Sequence, residues 1–136
     1  MRFRRNVSAF LATGAAVLGS LAAAPQASAA EPCGAGKLCL YRSTLYRTMM
    51  FETGRTARCF RLAEYHLGPG LYSIWSYDNN LPVKVEYWKA TETTAYLVGA
   101  TSPGGSSSNT SQALDEANLM CTGGAGPYWP PVLEEV

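Results

Sequence analysis

The chain has one histidine, His66, and no Cys-x-x-Cys pair. The usual spacings of a zinc site are therefore missing, because such a site draws paired cysteines and histidines from short turns. A hydrolytic triad would have to take His66 as its base, and no Gly-x-Ser-x-Gly elbow presents a serine to it. Glu64-Tyr65-His66-Leu67-Gly68 reads as an ordinary surface loop. Paired carboxylates give no better start, since Asp115-Glu116 has no aromatic sugar-binding context and Glu134-Glu135 comes after a glycine- and proline-rich stretch. Basic clusters are also scarce. Arg55, Arg58 and Arg61 are three charges over seven residues, too few to displace counterions from a phosphate backbone, so nucleic acid is excluded as a partner. A chain that is not an enzyme and carries no metal or cofactor is expected.

The one long apolar run is at the front. Met1-Arg-Phe-Arg-Arg5 precedes a mostly apolar stretch from about Val7 to Ala24, and Ala27-Ser28-Ala29 supplies the small-x-small pattern that signal peptidase cleaves. Gly14, Ser20 and Pro25 interrupt the run, which argues against a membrane anchor. Asn6 and Ser8 stand where a twin-arginine signal needs apolar residues, so general secretion is the expected route. Residues 1–29 are read as the export signal, leaving a secreted, extracellular chain with no stable membrane insertion. Arg2, Arg4 and Arg5 leave with that segment, so 8 of the 11 basic residues face 10 acidic ones in the remainder. The slight positive charge of the whole chain does not describe the exported part.

The exported part has the period of strands, with no sustained apolar stripe at helical spacing. Lys37–Arg42, Leu71–Tyr77, Val83–Trp88 and Thr93–Val98 read as strands, with Val83, Val85 and Tyr87 alternating against Lys84, Glu86 and Trp88. Asp78-Asn79-Asn80 reads as a turn, and Ser102–Ser111 as an exposed mobile loop. Ala113–Met120 leads to Cys121 through a short helix or turn. In Met49-Met50 either one side chain is exposed as an adaptable contact or both are buried under a loop, and burial of one is the expectation. Residues 30–122 form a single all-β domain, a small sandwich or barrel, and residues 123–136 a loosely held Gly/Pro-rich tail.

Four cysteines in an exported chain are most simply two disulfides. Three pairings are open. Gly34-Ala35-Gly36 can bend between Cys33 and Cys39, which favours a local bridge there and a long-range one from Cys59 to Cys121.

Cys33-x5-Cys39-Leu40-Tyr41, Tyr41-x4-Tyr46 and Phe51-x-x-Gly54 together resemble the opening Greek key of the secreted βγ-crystallin-like peptidase inhibitors of actinomycetes. The likeness runs over roughly Cys33 to Cys121. It implies a disulfide-stapled βγ-crystallin-like Greek-key sandwich and inhibition of metalloproteinases. In the family an aromatic pair with a glycine after it folds a hairpin over the sheet; here Thr48 stands at the glycine position. The family's calcium-ligand element corresponds to Asn79-Asn80-Leu81-Pro82-Val83-Lys84, where Val83 offers no side-chain oxygen and Lys84 brings a positive charge, so no calcium site is expected.

Two functions of different kinds are implied. The first is a monomeric inhibitor of an extracellular protease of the thermolysin-like metalloproteinase class. Its inhibitory loop would be Arg58-Cys59-Phe60-Arg61, held rigid by the bridge at Cys59, with Phe60 as the apolar anchor. Against this, Phe60 and Leu62 have the pattern of core residues. The alternative is a crystallin-like secreted antimicrobial or cell-surface binding protein. An exposed cluster of Tyr72, Trp75, Tyr77, Tyr87 and Trp88 would mark it.

Overall fold

Residues 29–127 are described by the computed structural model of the protein; the export signal read over residues 1–29, all but its last residue, and the last nine residues of the tail lie outside them. Eight strands run in chain order: β1 (Leu38–Ser43), β2 (Arg47–Thr53), β3 (Cys59–Arg61), β4 (Ser76–Asn79), β5 (Val85–Ala90), β6 (Ala95–Thr101), β7 (Ser106–Ser107) and β8 (Leu119–Thr122). They form two four-stranded antiparallel sheets, ordered β2-β1-β4-β7 and β3-β8-β5-β6. Among the described residues, helix is limited to two 3-10 turns, Leu62–Tyr65 and Gly70–Tyr72. The chain is all-β, as its strand-period patterning requires.

The order of the strands has an internal symmetry. In each half the first strand pairs with both the second and the fourth, while the third crosses to the other half's sheet. Detailed contacts repeat as well. Asn79 N–H donates to Gly105 O at 2.9 Å just before β7, and Thr122 N–H donates to Arg58 O at 2.8 Å just before β3. Both hairpins carry a bulge. The β1–β2 register slips between Leu40 and Tyr41, and the β5–β6 register between Tyr87 and Trp88. A bulge twists its strand, which helps two short sheets to wrap one core.

That core lies between the sheets. Leu38, Leu40, Val85, Tyr87 and Met120 project into it from the strands, and Leu62, Leu67, Ile74, Leu81 and Leu114 from the connections. Connections contribute so much because four-stranded sheets of this length cannot enclose a core alone. The alternation expected for the fifth strand holds, with Val85 and Tyr87 buried. Cys33 is bridged to Cys39 across 6 residues, and Cys59 to Cys121 across 62. Two disulfides indicate folding in an oxidising compartment. Among the described residues, no helix is long and apolar enough to cross a membrane.

Three local readings need correction. The strand anticipated over Leu71–Tyr77 begins only at Ser76, because Gly70 stands at φ +73° and Gly70–Tyr72 coils into a 3-10 turn before Ser73 and Ile74 enter the core. Ser102–Ser111 is tied down rather than loose. Ser106–Ser107 pairs with β4, Leu45 N–H donates to Ser108 O, and Thr110 bonds Trp75 O and Ile74 O. Its small side chains permit this close approach of backbone to backbone. Met49 and Met50 are both half-buried, because the bulge leaves Met50 unpaired and breaks the alternation that would have exposed one of them.

Candidate functional site

The segment Arg58–Arg61 is positioned from three sides. Cys59, Phe60 and Arg61 pair in register with Cys121, Met120 and Leu119 of β8, and the Cys59–Cys121 disulfide joins residues that already face each other across the ladder. Just before the strand, the Thr122 hydroxyl accepts from Arg58 N–H at 3.1 Å. Gly123, at φ +64°, passes so near Thr56 that an added Cβ would lie 1.7 Å from the Thr56 carbonyl oxygen, so only glycine lets the chain approach. Just after the strand, Leu62 N–H donates to Asn118 O. A three-residue strand is too short to hold itself, and these clamps hold it.

The strand lies at the edge of its sheet, with β8 on one side only. Such an edge offers backbone donors and acceptors to an added strand. Arg61 is exposed, and Arg58 and Cys59 are half-buried. Phe60 is also half-buried. Its ring meets Phe51 edge-on at 5.0 Å and Tyr65 at 6.4 Å, and Phe51 and Tyr65 meet at 4.6 Å. This trio links β2 of one sheet to β3 of the other. Entry of Phe60 into another protein's pocket would require breaking these contacts, so the side chain expected to be the anchor is engaged within the fold.

The other singled-out residues are dispersed. His66 is exposed, and its backbone closes the first 3-10 turn in the left-handed region. Asn79 is fully buried, and its amide is already used: Nδ2 donates to Val83 O and Ser102 O, both at 3.0 Å, and Oδ1 accepts from Leu81 N–H at 3.1 Å. That last bond makes the Asx turn expected at this position. Lys84 forms an ion pair with Glu86. Among the described residues, no group of three His, Cys, Asp or Glu side chains is placed to hold a metal ion. The aromatic residues proposed as one exposed cluster are not exposed together. Tyr87 is fully buried with Tyr77 packed at 6.1 Å, Tyr72 is exposed, and Trp75 and Trp88 are half-buried.

A cleft of about 260 Å³ opens between the sheets beside β6, lined among others by Tyr77, Tyr87, Thr101 and Asn109 and by no charged residue. Burial pushes the Tyr87 phenol far above its ordinary pKa, and neither its hydroxyl nor that of Thr101 has a hydrogen-bond partner among the described residues. This is an environment for neutral groups.

Sequence reasoning located the pinned segment through Cys59. It missed the clamp by Thr122 and Gly123, whose only signal is a glycine directly after a strand, and it missed Leu71, which at 91% is the most exposed large apolar residue among those described. Compared with protein-family models, curated proteins and solved structures, the chain matches none.

Proposed function

We propose that the chain is a secreted proteinaceous inhibitor of extracellular proteases, of the thermolysin-like metalloproteinase class. One observation carries this reading: Cys59–Arg61 is an extended edge strand, open on one side and fastened to β8 by a disulfide and a backbone ladder. Protease clefts take their substrates as extended chains, and a segment already held extended loses little conformational entropy on entering one. In this reading the Arg58–Arg61 backbone runs along the cleft, with Arg61 reaching outward. The Phe60 ring holds the strand to the fold from behind.

The resemblance to βγ-crystallin-like inhibitors has structural support of its own. In each half the fourth strand returns beside the first, the mark of a Greek key, with the third strand exchanged between sheets. Tyr41 and Tyr46 meet edge-on at 5.8 Å around the first hairpin, and Thr48 occupies the next turn position at φ +58°, the conformation a glycine would adopt most easily.

The test is a panel assay of the exported protein against thermolysin-like, subtilisin-like and trypsin-like enzymes. Inhibition confined to or strongest against the thermolysin-like enzyme is expected. Inhibition of a serine protease alone would correct the target class. No inhibition of any member would overturn the reading in favour of an antimicrobial or surface-binding protein.

A further inference from the structure

The uncharged cleft between the sheets is lined by two residues whose polar groups the fold does not use. Tyr87 is fully buried and Thr101 is 3% exposed, and neither hydroxyl finds a hydrogen-bond partner among the described residues. A buried hydroxyl without a partner costs the fold its desolvation, so two of them beside one cleft are a burden unless something else bonds them. Register brings them together. Tyr87 of β5 pairs with Gly99 of β6, and Thr101 stands on the diagonal, within reach of an aromatic side chain. Gly99 keeps the space beside them clear: a Cβ added there would lie 3.0 Å from Leu114 Cδ2, so a larger residue would narrow the cleft. The facing wall comes from the other sheet, where Tyr77 of β4 pairs with Ser107 of β7. The walls are thus apolar or hydroxylic, and no charged side chain is there to hold an ion. Size is set as well. A cavity of about 150 Å³ already takes benzene, so one of about 260 Å³ has room for a single ring with a short substituent. A hydroxyl both donates and accepts, so an alcohol or a carbonyl on that ring would satisfy the two unused groups.

We infer that this cleft is a binding site for a small uncharged molecule of one ring, whose hydroxyl or carbonyl oxygen bonds the Tyr87 and Thr101 hydroxyls while its ring lies against Tyr77 and Leu114. The site is distinct from the Arg58–Arg61 strand, since β6 and β3 are opposite edges of one sheet, and it does not depend on the inhibitor reading.

The experiment titrates the exported protein at neutral pH with benzyl alcohol, toluene and benzoate, following backbone amide shifts by NMR. The titration with benzyl alcohol is repeated on Tyr87→Phe and Thr101→Val, with a thermal melt of each. Benzyl alcohol moves the amides of Gly99, Thr101 and Ser107 saturably. Toluene, which lacks the oxygen, binds about three- to tenfold more weakly, the worth of a hydrogen bond, and benzoate, of similar size but charged, does not bind. Each variant loses about three- to tenfold in affinity for benzyl alcohol yet melts at or above the wild-type temperature, because it removes a hydroxyl that the free protein leaves unpaired. No saturable shift with benzyl alcohol overturns the site, and toluene or benzoate binding as tightly as benzyl alcohol overturns the chemistry assigned to it. Variants that melt lower and bind benzyl alcohol unchanged also overturn the inference, for the two hydroxyls would then serve the fold and not a ligand.

Discussion

The Glu31 carboxylate accepts hydrogen bonds from the backbone N–H of Thr48 and of Met49, each at 3.2 Å, at the point where Thr48 holds a left-handed conformation. Glu31 is bound to the same corner twice more, its N–H donating to Tyr46 O at 2.7 Å and its carbonyl accepting from the Tyr41 hydroxyl at 2.8 Å. The residue that closes the first tyrosine corner thus comes from the start of the described chain. A non-glycine residue in the left-handed region costs roughly 1 kcal/mol. Two charge-assisted bonds to adjacent amides offset that cost.

Glu31→Ala is accordingly expected to lower stability by about 1 kcal/mol, discounted for the exposure of these bonds. In a domain of this size that is a fall of roughly 4–8 °C in the thermal midpoint. Thr48→Gly is expected to be nearly neutral, since relief of the backbone cost is offset by loss of the contact with the Ser43 hydroxyl and by a freer unfolded chain. A strongly destabilised Thr48→Gly would show that the threonine side chain, not the backbone angle, holds the corner.

The two bridges are expected to differ in worth. Chain-entropy reasoning gives about 4 kcal/mol for a loop closed across 62 residues and about 2 kcal/mol for one closed across 6. Urea unfolding of the Cys33→Ala/Cys39→Ala and Cys59→Ala/Cys121→Ala double variants measures the difference. The second pair should be the more damaging and should also impair inhibition, because it releases β3. Equal losses would contradict the clamp on that strand.

Phe60→Ala is expected to cost about 2 kcal/mol, below the range for a fully buried phenylalanine, because the ring is only half-buried. At temperatures where the variant is folded, the thermolysin inhibition constant should change little, because the ring faces Phe51 and Tyr65 within the fold. A folded Phe60→Ala that has lost inhibition would make Phe60 the inserted side chain.

Alkaline pH should destabilise the fold through its buried tyrosines. Burial, with the Asp78 and Glu31 carboxylates nearby, pushes the Tyr41 phenol up to about 12, and burial raises Tyr87 further. In the unfolded chain both ionise near 10. The folded state therefore holds more protons than the unfolded state above that pH, and stability falls as pH rises from about 10 through 12 after being level below. Urea midpoints from pH 8 to 11.5 test this. The four cysteines are all bridged, so no thiol is present to start disulfide exchange over that range. A midpoint unchanged at pH 11 would mean that the tyrosines ionise without unfolding the domain.

Much of this was legible in one dimension. Strand period and turn residues act over a few positions, so the all-β class, β1, the alternation of Val85 and Tyr87, and the Asx turn at Asn79 could be read directly. The same local reading made Leu71–Tyr77 one strand, because a glycine's handedness is not written in its neighbours: Gly70 turns the chain before the strand starts. Polarity made Ser102–Ser111 look loose, whereas its bonds run to β4, Trp75 and Leu45, all distant in sequence.

The site divides in the same way. Cys59 marked a pinned segment from its chemistry alone, but whether Phe60 faces solvent or its own sheet depends on Phe51 and Tyr65 arriving from another strand and a turn. Composition and spacing determine which residues prefer strands, turns and export, since those preferences are local. Which apolar residue is left outside is decided only when the two sheets close over a shared core: Leu62 and Leu67 go in, and Leu71, four positions further on, does not.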